Sequence, residues 1–223
     1  MHECETLTQG TPIYVSELHR FGTDALLLAD FAQPRRQARA MDLCSGCGVV
    51  ALRWHDQGHR GPCDAIEIEP GASELLQKSL DACPEAAEHI RRVCGDLREY
   101  APKERGSYDT VACNPPYFTG GFQSADPRRA AARHENSCTM EDAAACAARL
   151  LKDGGKFFVC HRPEHLSRVL CALSGAGLEP KRLRFVKKNS ASAPWLFLCE
   201  AQRARKPGLI LLPDLLPGEY PSY

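Results

Sequence analysis

Short apolar runs alternate along the chain with amphipathic stretches, and most of the runs end in glycine, acid or proline. The runs begin at Met41, Cys63, Asp109 and Lys156, each with the length of a buried strand rather than of a helix, and Ile90–Leu97 suggests a further strand. Between them, Leu26, Leu27 and Phe31, and then Leu75, Leu76 and Leu80, recur near the helical period in segments that are otherwise polar. Thr23 or Asp24 stands where it can cap the first of these helices, and Pro34 lies just past its end. Thr139 with Asp142 marks the start of a helix through Leu151 that Asp153-Gly154-Gly155 ends, and Pro163 opens another that closes at Gly175-Ala176-Gly177. Leu183–Val186 and Trp195–Ala201 read as an antiparallel hairpin at the sheet edge. The alternation predicts an α/β fold: a doubly wound, mostly parallel sheet of seven strands with that hairpin at its C-terminal end. One domain over residues 1–223 is expected, with an N-terminal arm to about residue 20 and a Pro-rich tail from about residue 206.

Composition narrows the partners. With 28 Lys plus Arg against 28 Asp plus Glu the net charge is zero, so nucleic-acid binding would need a local basic patch rather than a global field. No apolar run approaches a membrane span, and the start Met1-His2-Glu3-Cys4-Glu5 is acidic where a signal peptide is basic and apolar, which predicts a cytoplasmic protein without a membrane partner. A monomer is the default expectation. The 12 cysteines are scattered singly apart from Cys44-Ser45-Gly46-Cys47, and a zinc site would need two further ligands at similar spacing. They read as small buried hydrophobes, and no metal is expected.

The chemistry gathers where strands end. Gly46 and Gly48 follow the Met41 run and precede a helix, an arrangement that lets backbone approach a ligand and aims free N–H groups at it. Glu67 and Glu69 end the next strand about 20 residues on, the spacing at which a carboxylate reaches ribose hydroxyls. Asp96 ends the third strand. The fourth runs through Asp109-Thr110-Val111-Ala112-Cys113 into Asn114-Pro115-Pro116-Tyr117. Two prolines fix φ and remove N–H donors, so that loop is stiff and rich in acceptors; the Asn114 carbonyl and a neighbouring main-chain carbonyl can accept from one planar NH2 while Tyr117 offers a stacking face. A Pro-rich turn would give the same four letters, and the glycine loop and acids upstream favour the chemical reading. The glycine- and arginine-rich segment after Tyr117, with Arg128, Arg129 and Arg133, is a candidate substrate loop. Lys181, Arg182, Arg184, Lys187 and Lys188 form a second basic run. Either run alone reads as solvated surface; the pair tilts the balance towards RNA.

Together these stretches resemble class I S-adenosylmethionine-dependent methyltransferases of the Asn-Pro-Pro-Tyr branch. Phe21-Gly22-Thr23-Asp24-Ala25-Leu26-Leu27, Asp42-Leu43-Cys44-Ser45-Gly46, Asn114-Pro115-Pro116-Tyr117-Phe118, Ala132-Arg133-His134-Glu135, His161-Arg162-Pro163 and Glu179-Pro180-Lys181-Arg182 resemble, more closely, the bacterial tRNA(Val) adenine-N6 methyltransferase family. Cys47-Gly48 departs from the usual glycine loop. The resemblance implies a Rossmann-like fold, S-adenosyl-L-methionine as cofactor with S-adenosyl-L-homocysteine as product, and methyl transfer to the exocyclic amine of an adenine in RNA, a tRNA first of all. It implies main chain around Asp42, Cys44, Gly46 and Gly48 along the methionine and ribose, Glu67 on the ribose hydroxyls, Asp96 and Leu97 at the adenine ring, and Thr23 and Asp24 over the methionine end. Asn114, Pro115, Pro116 and Tyr117 would form the reacting site. A protein glutamine amide poses the same chemical problem to the same four residues. DNA adenine methylation and a non-catalytic RNA-binding module also fit the motifs.

Overall fold

The computed structural model describes residues 2–100, 106–115 and 138–220. Strands β3 (Ala40–Leu43), β4 (Cys63–Glu67), β5 (Ile90–Cys94), β6 (Tyr108–Cys113) and β7 (Leu151–His161) run parallel, and β9 (Pro194–Arg203) is antiparallel to both β7 and β8 (Leu178–Lys187). With β10 (Ile210–Leu211) outside β8, the sheet order is β10-β8-β9-β7-β6-β3-β4-β5. Helices α1 (Thr23–Ala32), α2 (Val49–Asp56) and α3 (Pro70–Ala82) cover one face, meeting Ala40, Ala65, Ala112, Phe158 and Leu198; a short helix, α4, spans Pro84–Ala87. Helices α5 (Met140–Leu150) and α6 (Leu166–Gly175) cover the other, over Met41, Val111, Phe157 and Phe197. The expected doubly wound sheet is present.

Where elements differ from expectation, local packing gives the reason. Helix α1 carries buried residues on most of its surface (Ala25, Leu26, Leu27, Leu28, Ala29 and Ala32), because it is wedged between α2 and the sheet, with Trp54 Nε1 donating to the Ala29 carbonyl at 3.1 Å and Phe31 edge-on to Phe158. Neither Thr23 nor Asp24 caps it; extended Gly22 is the N-cap, and the Asp24 side chain points to another strand. The box expected at α5 forms, Asp142 N–H donating to Thr139 Oγ1 at 3.1 Å and Thr139 N–H to Asp142 Oδ2 at 3.0 Å. Asp153-Gly154-Gly155, however, lies inside β7 rather than beyond a helix end. The pairing register slips between Tyr108 and Thr110 there, and a Cβ at Gly155 would press on the Lys152 and Tyr108 carbonyl oxygens, so the glycines serve a bulge.

The last strand pair is longer than its apolar letters show. Pro180 is tolerated at a register shift, and Arg182 folds onto Glu200 of the facing strand instead of ending the element. The pair is also not the sheet edge. Strand β9 is interior, and the tail supplies an eighth strand of two residues. The N-terminal segment forms a separate hairpin, β1 (His2–Thr6) with β2 (Pro12–Ser16), whose Ile13 and Val15 are fully buried and whose Tyr14 N–H donates to Ser79 Oγ on α3 at 2.9 Å.

Candidate active site

Strand β3 is hydrogen-bonded to β4 on one side and β6 on the other, so the chain order reverses there and a crevice opens beyond the C-terminal ends of these strands. After Leu43 the backbone enters a loop with positive φ at Cys44, Gly46 and Gly48 (55°, 55° and 85°) before α2 starts at Val49. Glycine is required at 48 twice over, since a Cβ would also strike the Leu76 side chain. At Gly46 a Cβ would meet nothing within 4 Å, so this stretch of backbone faces open space.

Two carboxylates brace the loop. Glu67 Oε2 accepts from Gly46 N–H at 2.8 Å and Oε1 from Glu69 N–H at 2.9 Å. Asp42 is buried, with Oδ2 accepting from Ala51 N–H at 3.3 Å, and Oδ1 has no hydrogen-bond partner among the described residues. Burial, reinforced by the nearby Glu67 charge, pushes its pKa up to about 8. Ser45 Oγ is likewise buried and unpartnered among the described residues. Orphaned oxygens beside a backbone open to ligand fit a group bearing amino and hydroxyl donors, as S-adenosylmethionine does. The Cys44 thiol is held protonated by its hydrogen bond to Cys113 and by burial, and burial lifts Cys47 to about 12, so neither is primed as a thiolate.

Glu69, the other acid at this strand end, has a structural role. It caps α3 by accepting from Ala72 N–H at 2.6 Å and pairs with His19 Nε2 at 3.1 Å. Asp96 follows β5 and chelates Arg98, with Oδ2 at 2.8 Å from Nε, which holds its carboxyl below the usual range. Leu97 is buried among the α5-side core residues.

Asn114 sits half-buried at the end of β6. Its Nδ2 donates to Asp24 Oδ2 at 3.2 Å, and its Oδ1 accepts from Cys160 Sγ at 3.1 Å, so the amide is held between α1 and β7. Sequence reasoning gave no sign of either contact, because all three residues are far apart in the chain and Cys160 reads only as an apolar strand residue. Pro115 is buried. Pro116, Tyr117, Arg128, Arg129 and Arg133 lie outside the described residues.

The second basic run is dispersed by the strand that carries it. Arg182 pairs with buried Glu200 and lies over the Phe31 ring, Lys187 pairs with Asp214 at 2.7 Å, and Lys181 donates to the Lys206 carbonyl at 3.2 Å. Arg182 and Arg184 line a groove of about 580 Å³ between α1 and the tail. Lys188 is exposed at the end of β8 that shares the crevice side of the sheet. The run is therefore not one continuous cationic surface.

Residues 17–173 match the family model described as methyltransferase small domain, 157 positions of a 223-residue chain. The chain belongs to that family. It is an S-adenosylmethionine-dependent methyltransferase. Among its relatives, the tRNA1(Val) (adenine(37)-N6)-methyltransferase of Dickeya chrysanthemi is 33% identical over 176 residues, covering 78% of this chain and 69% of that protein. The protein of the same name from Cronobacter sakazakii is 29% identical over 199 residues, covering 88% and 80%. The fold is shared with a predicted O-methyltransferase of Agrobacterium tumefaciens (TM-score 0.68, 20% identity, 90% of each chain). It is shared too with the T. thermophilus 16S rRNA N2 G1207 methyltransferase (TM-score 0.62, 19% identity, 91% of this chain and 50% of that one).

Proposed function

We propose that this methyltransferase acts on the exocyclic N6 of an adenine in RNA, with tRNA as the substrate. The observation that carries the reading is the placement of Asn114: an amide carbonyl held at the end of β6, one strand from the glycine loop of β3. The names of the relatives at about 30% identity support the same substrate. Bound S-adenosylmethionine supplies an electrophilic methyl group. Asp42, Cys44, Gly46 and Gly48 line its path with main chain, and Glu67 takes the ribose hydroxyls. Asp96 accepts from the adenine amine of the cofactor, and Leu97 is at the adenine ring. Thr23 stands at the start of α1 on the methionine side.

The adenine N6 lone pair is delocalised into the ring, so the amine becomes nucleophilic only as it turns pyramidal. Asn114 Oδ1 and the Pro115 carbonyl would accept its two hydrogens in that geometry, an orienting and electrostatic contribution that needs no strong base, because the methylated nitrogen is cationic and acidic and gives up one of these protons to solvent. The target base has to leave its stack, and Tyr117, placed by sequence alone, offsets part of that cost by stacking, at roughly 1–3 kcal/mol per base. Of the five basic residues between 181 and 188, Lys188 is the exposed one and the candidate for a phosphate contact, and Arg128, Arg129 and Arg133 are candidates from sequence. The test is transfer of labelled methyl to bulk tRNA, DNA and protein in parallel. Label that ribonuclease releases supports the reading, and label confined to protein glutamine or to DNA refutes it.

A further inference from the structure

We propose that Asp24 is a positioning residue for Asn114: its carboxylate selects the one orientation of the Asn114 amide in which the carbonyl, not the NH2, is presented to an incoming amine. This rests on the proposed amine chemistry and assigns Asp24 a role other than cofactor binding. An asparagine amide can sit in either of two orientations related by a half-turn, and its two ends differ chemically although their shapes nearly coincide. A carboxylate is an acceptor only. At 3.2 Å from Asn114, Asp24 Oδ2 is satisfied by Nδ2–H and would be repelled by Oδ1, so the half-turned amide is excluded. The Cys160 thiol donates to Oδ1 at 3.1 Å, but a thiol can donate or accept, so the choice of orientation falls to the Asp24 carboxylate. A half-turned amide would point its NH2 at a substrate NH2, donor against donor. The carboxylate also polarises the amide through Nδ2–H, which strengthens Oδ1 as an acceptor.

The local backbone is arranged for this contact. Asp24 is in the first turn of α1, where an acid would ordinarily fold back on the helix N-terminus, yet the cap is Gly22 without any side-chain hydrogen bond. The Asp24 carboxylate instead lies against Gly22, where a Cβ would overlap Oδ1 well inside van der Waals contact. Gly22 has φ of −111° and ψ of 173°, extended values open to any residue, so the glycine is explained by the room it leaves for the carboxylate. Gly22→Ala is therefore a probe that keeps the carboxylate and displaces it.

Three variants, Asp24→Asn, Gly22→Ala and Asn114→Ala, and the double variant Asp24→Asn with Asn114→Ala, test the proposal in the full chain, with thermal unfolding confirming that each is folded. Asp24→Asn and Gly22→Ala should each lower kcat on tRNA by about 10- to 100-fold, less than a directly lost contact to the reacting atoms, while S-adenosylmethionine affinity by calorimetry and KM for tRNA stay within about twofold. Asp24→Asn should add less than about twofold in the Asn114→Ala background, since both act through one amide. Independently of activity, the Asn114 side-chain amide resonances, assigned by their loss in Asn114→Ala, should shift in both single variants without RNA present. An unmoved amide signal, additive losses, or cofactor affinity that falls in step with turnover would overturn the proposal. A parent protein that labels no RNA would overturn the adenine reading instead, and the amide resonances would still decide whether Asp24 orients Asn114.

Discussion

Replacing Glu67 should weaken the cofactor, whereas replacing Glu69 should weaken only the fold. A carboxylate offers about four lone-pair sites, and the backbone N–H groups of Gly46 and Glu69 take one on each Glu67 oxygen. One site per oxygen matches a vicinal diol. Taking each charge-assisted hydrogen bond to a ribose hydroxyl at the low end, about 1.5 kcal/mol because the site is only half-buried, Glu67→Ala loses about 3 kcal/mol of cofactor binding. That corresponds to roughly a 150-fold rise in Kd. Release of the Gly46 N–H adds loop disorder, so the figure is a lower bound. Glu69→Ala removes a helix cap and the contact to His19, at about 1 kcal/mol of stability, with Kd unchanged. Calorimetric titration of each variant with S-adenosylmethionine, alongside urea unfolding without it, separates the two. If Glu69→Ala raises Kd more than Glu67→Ala does, the roles assigned to these acids are wrong.

Asn114→Ala should cut turnover by about 100-fold or more with cofactor affinity kept; because its amide bridges Asp24 and Cys160, a loss of about 1 kcal/mol in urea-unfolding stability should accompany it. Equal turnover in a folded variant would reduce Asn114-Pro115-Pro116-Tyr117 to a turn. Burial depresses His55 to about 4 and also lowers the neighbouring His59 and His89, with Arg60 adding to each and Asp56 opposing at His55. The unfolded chain therefore binds more protons, and stability present above about pH 6.5 should fall as pH drops towards 4, on the order of 3 kcal/mol from His55 alone. His55→Gln should flatten that slope in pH-dependent urea unfolding; an unchanged slope would show that the histidines charge freely in the fold. Arg182→Ala should destabilise by about 2 kcal/mol, discounted for the exposure of Arg182, because buried Glu200 then keeps Lys156 as its cation beside the neutral Gln202 amide, whereas Lys188→Glu should leave stability alone and reduce the salt slope of tRNA binding by about 1. A salt slope that does not change would take Lys188 out of the interface.

The frame of this fold was readable because each crevice strand is a short segment with an apolar centre, β5 with its Arg91-Arg92 being the weakest case, and each ends in or is followed by a residue that breaks it: Gly46, Glu67, Asp96 and Asn114-Pro115. Their convergence followed from the switch point between β3 and β6. What stayed hidden depends on tertiary contacts. Asp24 reads as a cap until Asn114 is seen beside it, and Gly22 reads as an ordinary helix boundary until the carboxylate lying on it is seen. Gly154-Gly155 looks like a helix stop, though it serves a bulge that lets β7 start earlier. The basic letters from Lys181 to Lys188 suggested one patch, but Glu200 and Asp214 engage Arg182 and Lys187 as ion-pair partners, and Lys181 is turned to the Lys206 carbonyl.

The most direct test of the account is the identity of the product. The full chain is incubated with methyl-labelled S-adenosylmethionine and unmodified total tRNA, the RNA is digested to nucleosides, and the labelled species is identified by chromatography and mass. The account predicts label in N6-methyladenosine, lost with Asn114→Ala. Label in a guanosine, in a ribose 2′-O-methyl group or on a ring nitrogen would contradict it.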